Sequence, residues 1–348
     1  MFSPARPALA AWIALAPGVA AAFHSGGVGS CEGCHSMHSS DVGAPAGFLL
    51  KAASPTDVCL RCHQTENGNT WGNDVRDPGP QYGGGAFVLL RASNLNDGPG
   101  GSDPLATIPG YRAGHTVISY SNGTTADPEH ATAPGGTYPS YNLHCTSCHD
   151  PHGKGGTFRL LYGSENPESR VNGQVYRYVN PSPQAEGIPL DGPGESPAGH
   201  AAYRSGMTDW CANCHGYYHE NGLSSFSHPV RNELGIDLTS TYNAYMGSGN
   251  PTGTGLEAYI PQTPVEFDDA TTTFRGPVPT TARISCLSCH RAHASSGPSS
   301  GRWDFNITTW AEEGVLSGTW PIPNPYEMTT GPAQRRLCEK CHGDAVPE

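Results

Sequence analysis

The residues best suited to chemistry in this chain are its cysteines, and they follow one strict pattern. All 12 cysteines fall into C-x-x-C pairs, and a histidine directly follows each pair. The cysteines are Cys31, Cys34, Cys59, Cys62, Cys145, Cys148, Cys211, Cys214, Cys286, Cys289, Cys338 and Cys341, and the histidines are His35, His63, His149, His215, His290 and His342. C-x-x-C alone also suits a zinc knuckle or a thioredoxin-like redox pair. The repeated histidine instead predicts six c-type haems, each bonded to two thiols and to one axial imidazole.

Ten further histidines are available for the second axial position of each iron. Sixteen histidines less the six proximal ones exceed what six irons need, so we expect bis-histidine ligation at every haem. The expected distal ligands are His24, His38, His115, His152, His228 and His293, with His144 and His219 as possible alternatives. Met37 is an alternative ligand beside His38. His130 and His200 have no motif around them, and we expect both to be exposed.

Three expected distal ligands, His38, His152 and His293, lie three residues after a proximal histidine. On a helical turn this spacing places both imidazoles on one face. They cannot bind the same iron, because the two axial positions lie on opposite faces of a porphyrin. Each such histidine must therefore serve a different haem if it is a ligand, which holds two haems close together. The same holds for His219, four residues after His215.

The elements that must position these groups are expected to be short. The chain of 348 residues contains 45 glycines and 32 prolines, together roughly twice the usual share. Charged residues make up 14% of the chain, against a typical ~25%. We predict mostly coil, with short helices at the haem motifs and a few short strands around residues 86–90 and 117–120. The expected fold class is a multihaem cytochrome c organised around a stacked haem chain, with a minimal conventional hydrophobic core. Folding then depends on the cofactors, and the haem-free chain is expected to be disordered.

Residues 1–22 have the composition of a cleaved signal peptide, with Arg6 before an apolar stretch and small residues at the cleavage site. Residues 23–348 are then expected to form a single hexahaem domain. No later segment is apolar enough to cross a membrane, so we expect an exported and otherwise soluble protein. The net charge of −12 argues against a nucleic-acid partner.

Several stretches outside the haem motifs resemble one known family. They are residues 23–38, 133–139, 143–154, 210–215 and 286–295. In order and in detail they resemble the OmcS-like outer-surface hexahaem c-type cytochromes, the nanowire-forming multihaem family. The connectors between these stretches match that family poorly.

The resemblance implies a homopolymeric filament with a continuous stack of bis-histidine haems, through which electrons pass between subunits. It also implies that His38 binds, in the adjacent subunit, the iron whose proximal ligand is His290. Redox-partner cytochromes and extracellular electron acceptors such as metal oxides are the expected partners.

Three functions remain compatible with the sequence. The first is a filament subunit that exports electrons, and the second is a monomeric periplasmic or secreted electron carrier with the same haems. The third, a multihaem reductase, needs an iron with an open or weakly held axial position. All six motifs end in histidine and other histidines are in excess, so an enzyme is the least favoured reading.

Overall fold

The computed structural model of the chain describes residues 24, 31–36, 49–64, 83–91, 109–154, 156–187, 199–220, 228–244, 258–259, 263–295, 297–302 and 341. Its α-helices are α1 (Cys31–Cys34), α2 (Pro55–His63), α3 (Cys145–Cys148), α4 (Met207–His215), α5 (Gly235–Ala244) and α6 (Cys286–Cys289). All except α5 contain both cysteines of a haem motif. The prediction of short helices at the haem motifs is therefore confirmed for the first five motifs.

The strands form two small antiparallel sheets. In the first, β1 (Glu168–Val171) pairs with β2 (Gln174–Arg177), and in the second, β3 (Ala185–Glu186) pairs with β4 (Ala202–Tyr203). Short 3-10 helices occupy Phe87–Arg91, Gly110–Ala113, Ser140–Asn142, Phe158–Leu160 and Pro298–Ser300. The rest of the described chain is turns and coil, as the composition predicts. No helix in these residues has both the length and the apolar character to cross a membrane.

The expected strand at residues 86–90 was wrong. The backbone N–H of Ala86 donates to the carbonyl of Ala294 (3.0 Å), and the N–H of Leu89 then donates back to Ala86 (3.3 Å), which starts a 3-10 turn. Phe87, Leu89 and Leu90 are all buried, so their burial does not alternate as in a half-buried strand. At residues 117–120 a single bridge forms between Ser119 and Thr124 in place of a strand pair.

One local apolar cluster lies around α5 and the segment that leads to α6. Its members are Ala202, Val230, Leu234, Tyr242, Tyr259, Val265, Phe267, Ala270, Val278, Ala282 and Ile284. Cys341, from the sixth haem motif, packs against it. Cys341 thereby lies in the same part of the molecule as α5.

A group of aromatic rings connects α3 to α4. The Tyr178 ring lies 5.7 Å from the rings of Tyr162 and Tyr176 and 6.2 Å from that of Trp210. Its hydroxyl donates to the carbonyl of Ser147 in α3 (2.8 Å), and the indole N–H of Trp210 in α4 donates to the carbonyl of Tyr162 (2.7 Å). Buried aromatic contacts with satisfied polar groups fix the relative position of the third and fourth haem motifs.

Candidate haem-binding sites

Five proximal histidines each face a second histidine. The ring centroids are 6.4 Å apart for His35 and His152, 6.0 Å for His63 and His24, 6.3 Å for His149 and His293, 5.8 Å for His215 and His115, and 5.8 Å for His290 and His219. A metal ion between two imidazoles, with bonds of about 2 Å and roughly 1.1 Å more to each ring centre, separates the centroids by about 6.2 Å. The spacing of all five pairs fits one iron between the rings.

The donor set of each site fits a haem better than a bare metal ion. Among the described residues no three histidine, cysteine or carboxylate side chains converge on one point, as a protein-bound zinc would require. Two facing imidazoles supply only axial ligands and leave the equatorial plane to a macrocycle. Two cysteines precede each proximal histidine, and the described cysteines are in no disulfide, so they suit thioether attachment.

The second ring nitrogen of four of these histidines is held by the backbone. Nδ1 of His115, His149, His215 and His290 donates to the carbonyls of Ala292, Arg159, Pro134 and Ser299, at 2.7, 2.7, 3.0 and 2.9 Å, respectively. A proton held on Nδ1 leaves the Nε2 lone pair for iron, and the hydrogen bond fixes the ring orientation. The loops that carry these carbonyls therefore position the ligands.

Desolvation favours the neutral form of His215, His290 and His293. It lowers the pKa of His215 and of His290 to about 4 and that of His293 to about 3. A histidine must lose its proton to bind a metal, so little free energy is needed to deprotonate these rings at neutral pH.

Histidines three residues apart serve different pairs. His149 faces His293 whereas His152 faces His35, so one short stretch of chain joins the first and third sites. His290 and His293 join the fifth and third sites in the same way. The N–H of His115 donates to the carbonyl of His293 (2.8 Å), which places the fourth site beside the third.

The cysteines add two further links between motifs. The Cys59 thiol is hydrogen-bonded to that of Cys145, so the second motif adjoins the third. Cys211 and Cys286 form the same contact between the fourth and fifth motifs. The five described sites are thus mutually connected.

Not every histidine stands where the sequence suggests. His219, expected only as an alternative, faces His290, and its spacing after His215 was the one available signal. Both ring nitrogens of His144 are in hydrogen bonds, with Thr56 and Asn172, at 3.1 Å each.

Three further described histidines belong to none of the five pairs, although the backbone N–H of one of them, His228, donates to the carbonyl of His219 (3.2 Å). His200 was expected to be exposed; it is buried, and its ring contacts that of Tyr259 at a tilt of 30° with centroids 4.4 Å apart, because it lies beside the apolar cluster. His130 is exposed, as expected, and its backbone N–H donates to Asp127. His228 is partly buried. His38, Cys338 and His342 lie outside the described residues.

Comparisons with known proteins agree with this donor set. The sequence profile of the doubled CXXCH motif matches residues 24–68. The C-type cytochrome OmcS of Geobacter sulfurreducens is 32% identical over 435 residues of alignment, which cover 96% of this chain and 97% of the relative. The outer membrane cytochrome S filament of Geobacter sulfurreducens is similar in structure, with a TM-score of 0.71 and 28% identity over 92% of this chain and 99% of that one. A cryo-EM structure of OmcS nanowires gives a TM-score of 0.70 and 27% identity over the same shares.

Proposed function

Because the chain belongs to the family of OmcS-like multihaem c-type cytochromes and carries haem c at its CXXCH motifs, we propose that it transfers electrons as the subunit of an extracellular filament. The observation that carries the proposal is the connection of the five histidine pairs into one set. Four pairs are joined through His149 and His152, His290 and His293, and the bond of His115 to His293. The contact of Cys59 with Cys145 adds the pair of His63 and His24. Bound haem supplies one-electron transfer between ferric and ferrous iron. The chain holds neighbouring sites in contact, because tunnelling falls exponentially with distance.

The distal ligands of the first four haems are, in this proposal, His152, His24, His293 and His115, in the order of the motifs. Each faces the proximal histidine of its motif at a distance suited to iron. For the sixth haem we assign His228. Val230, two residues further on, belongs to the apolar cluster against which Cys341 of the sixth motif packs.

Two histidines compete for the iron of His290. The rings of His219 and His290 lie 5.8 Å apart and 21° from parallel, which favours His219 of the same chain. The OmcS-like resemblance instead implies His38 of an adjacent subunit. One iron accepts one sixth ligand, so the two assignments exclude each other in any one state. We assign His219 to the single subunit and keep His38 as the candidate within the filament.

Electron paramagnetic resonance of the holoprotein at several protein concentrations separates these assignments. His219→Ala should open one iron and give a high-spin ferric signal in the dispersed subunit, whereas His38→Ala should leave every iron low-spin there. If His38 binds in trans, His38→Ala instead stops assembly at protein concentrations at which the wild type forms filaments. His130→Ala, at an exposed histidine that faces no motif, is the control and should change neither readout.

The export and domain assignments complete the proposal. Residues 1–22 are removed as a signal peptide, and residues 23–348 form one hexahaem domain that passes electrons from redox-partner cytochromes to extracellular acceptors such as metal oxides. Catalysis is not part of the proposal, because axial histidines close the irons to substrate. Electron microscopy of the purified native protein tests the filament: discrete particles at every concentration would instead identify a monomeric carrier.

A further inference from the structure

Glu266 is a buried carboxylate that the electron-transfer proposal does not use. The residue is 2% exposed. Its two carboxylate oxygens accept the backbone N–H of Gly206 at 3.4 Å and of Met207 at 3.1 Å. Met207 is the first residue of α4, the helix that carries the fourth haem motif.

The backbone of Glu266 connects this carboxylate to the fifth haem motif. Its N–H and carbonyl pair with those of Arg283, at 3.0 and 2.8 Å, just before α6 begins. The side chains of Cys211 in α4 and Cys286 in α6 are hydrogen-bonded to each other, which raises the pKa of Cys211 and lowers that of Cys286, and a negative charge on Glu266 is a smaller influence that opposes ionisation of both thiols. The carboxylate therefore lies close enough to interact electrostatically with both haem attachment sites. In the haem-bound protein these cysteines are thioethers, which do not titrate.

The charged groups around Glu266 do not neutralise it. The guanidinium of Arg283 donates to Ser205 (2.8 Å) and lies 3.5 Å from Glu233, although its charge still favours an ionised Glu266. Asp209 in α4 opposes ionisation. Burial raises the pKa of Glu266 to about 7, against the two backbone N–H groups and Arg283, which lower it.

We propose that Glu266 is a proton-binding site coupled to reduction of the fourth and fifth haems. Haem bound at His215 and His290 would lose one positive charge at the iron on accepting an electron from a redox partner, and the Glu266 carboxylate would then take one proton from water. Oxidation releases both the electron and the proton. The inference rests on the proposed haem sites, and it makes electron flow through this part of the chain depend on pH near neutrality.

Spectroelectrochemical titration of the full-length holoprotein at pH 6 and pH 8 tests the coupling. In the wild type, the midpoint of a subset of haems should move to lower potential at pH 8, and Glu266→Gln should remove that movement. Glu233→Gln, which changes an exposed carboxylate beside the same Arg283, is the matched control and should keep it. An unchanged pH dependence in Glu266→Gln would overturn the proposal.

Two further readouts extend the test, and the second uses the wild type and Glu266→Asp, so that it does not depend on how Glu266→Gln folds. Dithionite reduction of the wild type in weakly buffered solution with an indicator dye should take up more protons than reduction of Glu266→Gln. The reduced-minus-oxidised infrared spectrum of the wild type should gain a protonated-carboxyl band that shifts in Glu266→Asp; no such band would refute the site. High-spin iron in the wild type would count against the histidine pairs and not against Glu266.

Discussion

At the scale of single residues, Asp57 in α2, the helix of the second haem motif, accepts several hydrogen bonds. Its carboxylate accepts hydrogen bonds from the hydroxyls of Ser119 and Ser121, at 2.6 Å each, from that of Ser54 at 2.9 Å, and from the N–H of Tyr120 at 3.1 Å. Burial alone would raise the pKa of Asp57, but the hydroxyl donors outweigh it and the pKa is lowered. The ionised carboxylate therefore ties α2 to the turn at residues 119–124.

Replacing Asp57 by Asn should destabilise the holoprotein by about 1–3 kcal/mol at pH 7, because the amide has one acceptor oxygen and its NH2 group faces donors. The folded-state pKa lies below the unfolded one, so the carboxylate stabilises the fold above pH ~4 and this contribution is lost as the pH falls through the folded value. Denaturant unfolding at pH 7 and pH 3 should show that the difference in free energy of unfolding between Asp57→Asn and the wild type is smaller at pH 3. Asp269→Asn, at an exposed site, is the control and should unfold like the wild type at both.

At the scale of elements, the loop at residues 131–139 positions the fourth haem's proximal ligand. The carbonyl of Pro134 accepts Nδ1–H of His215 at 3.0 Å. Gly136 packs so closely on α4 that a Cβ there would stand 1.6 Å from the carbonyl oxygen of Cys214. Gly135, with φ of +75°, gives the loop a backbone conformation that suits glycine.

Gly136→Ala should push this loop away from α4 and weaken the bond from His215 to Pro134. We expect a loss of about 1–3 kcal/mol in stability and a changed low-spin g-tensor for one haem, with haem attachment intact. Electron paramagnetic resonance and denaturant unfolding measure the two effects. Gly199→Ala is the matched control, because a Cβ there meets nothing within 4 Å; equal effects of the two variants would contradict the role of the loop.

The sequence predicts features that depend on residues close together along the chain, and it does not predict those that depend on distant segments. Cys145, Cys148 and His149 share one turn because a single porphyrin requires it, so the motif predicts both cofactor and helix. The partner of His149 is His293, far along the chain, and the folding of the residues between them, not a local pattern, determines that pairing. Glu266 has no local signal either, because its burial arises where two distant segments meet.

Across the whole molecule, haem replaces most of a conventional core. The eleven-residue apolar cluster surrounds α5, whereas the helices of the first three motifs are short and bury few apolar side chains: none in α1 and Val58 and Leu60 in α2. Ordering each residue costs about 1–2 kcal/mol of conformational entropy. The described residues bury 30 apolar side chains to offset that cost, and we expect bound haem to supply the rest.

The haem-free chain should therefore lack native-like structure, because both thioether bonds and axial ligation would be missing. Circular dichroism of protein in which every motif cysteine is replaced by alanine should show a largely disordered spectrum. Native-like ellipticity and a cooperative melt in that variant would mean that the polypeptide folds without its cofactors. The control is the wild-type holoprotein, which should melt cooperatively.

Assembly into a filament must overcome electrostatic repulsion between subunits. Each chain has a formal net charge of −12 at pH 7, and the haem propionates add negative charge. The Debye length, beyond which salt screens the interaction between charges, is about 30 Å at 0.01 M salt but only about 10 Å at 0.1 M. Repulsion between whole subunits should therefore matter mainly at low ionic strength. We expect filaments to shorten or dissociate when salt is lowered from 0.1 to 0.01 M and to recover when it is restored, as measured by sedimentation and electron microscopy. Dissociation by added salt instead would mean that complementary ion pairs, and not apolar or haem-mediated contacts, hold the subunits together.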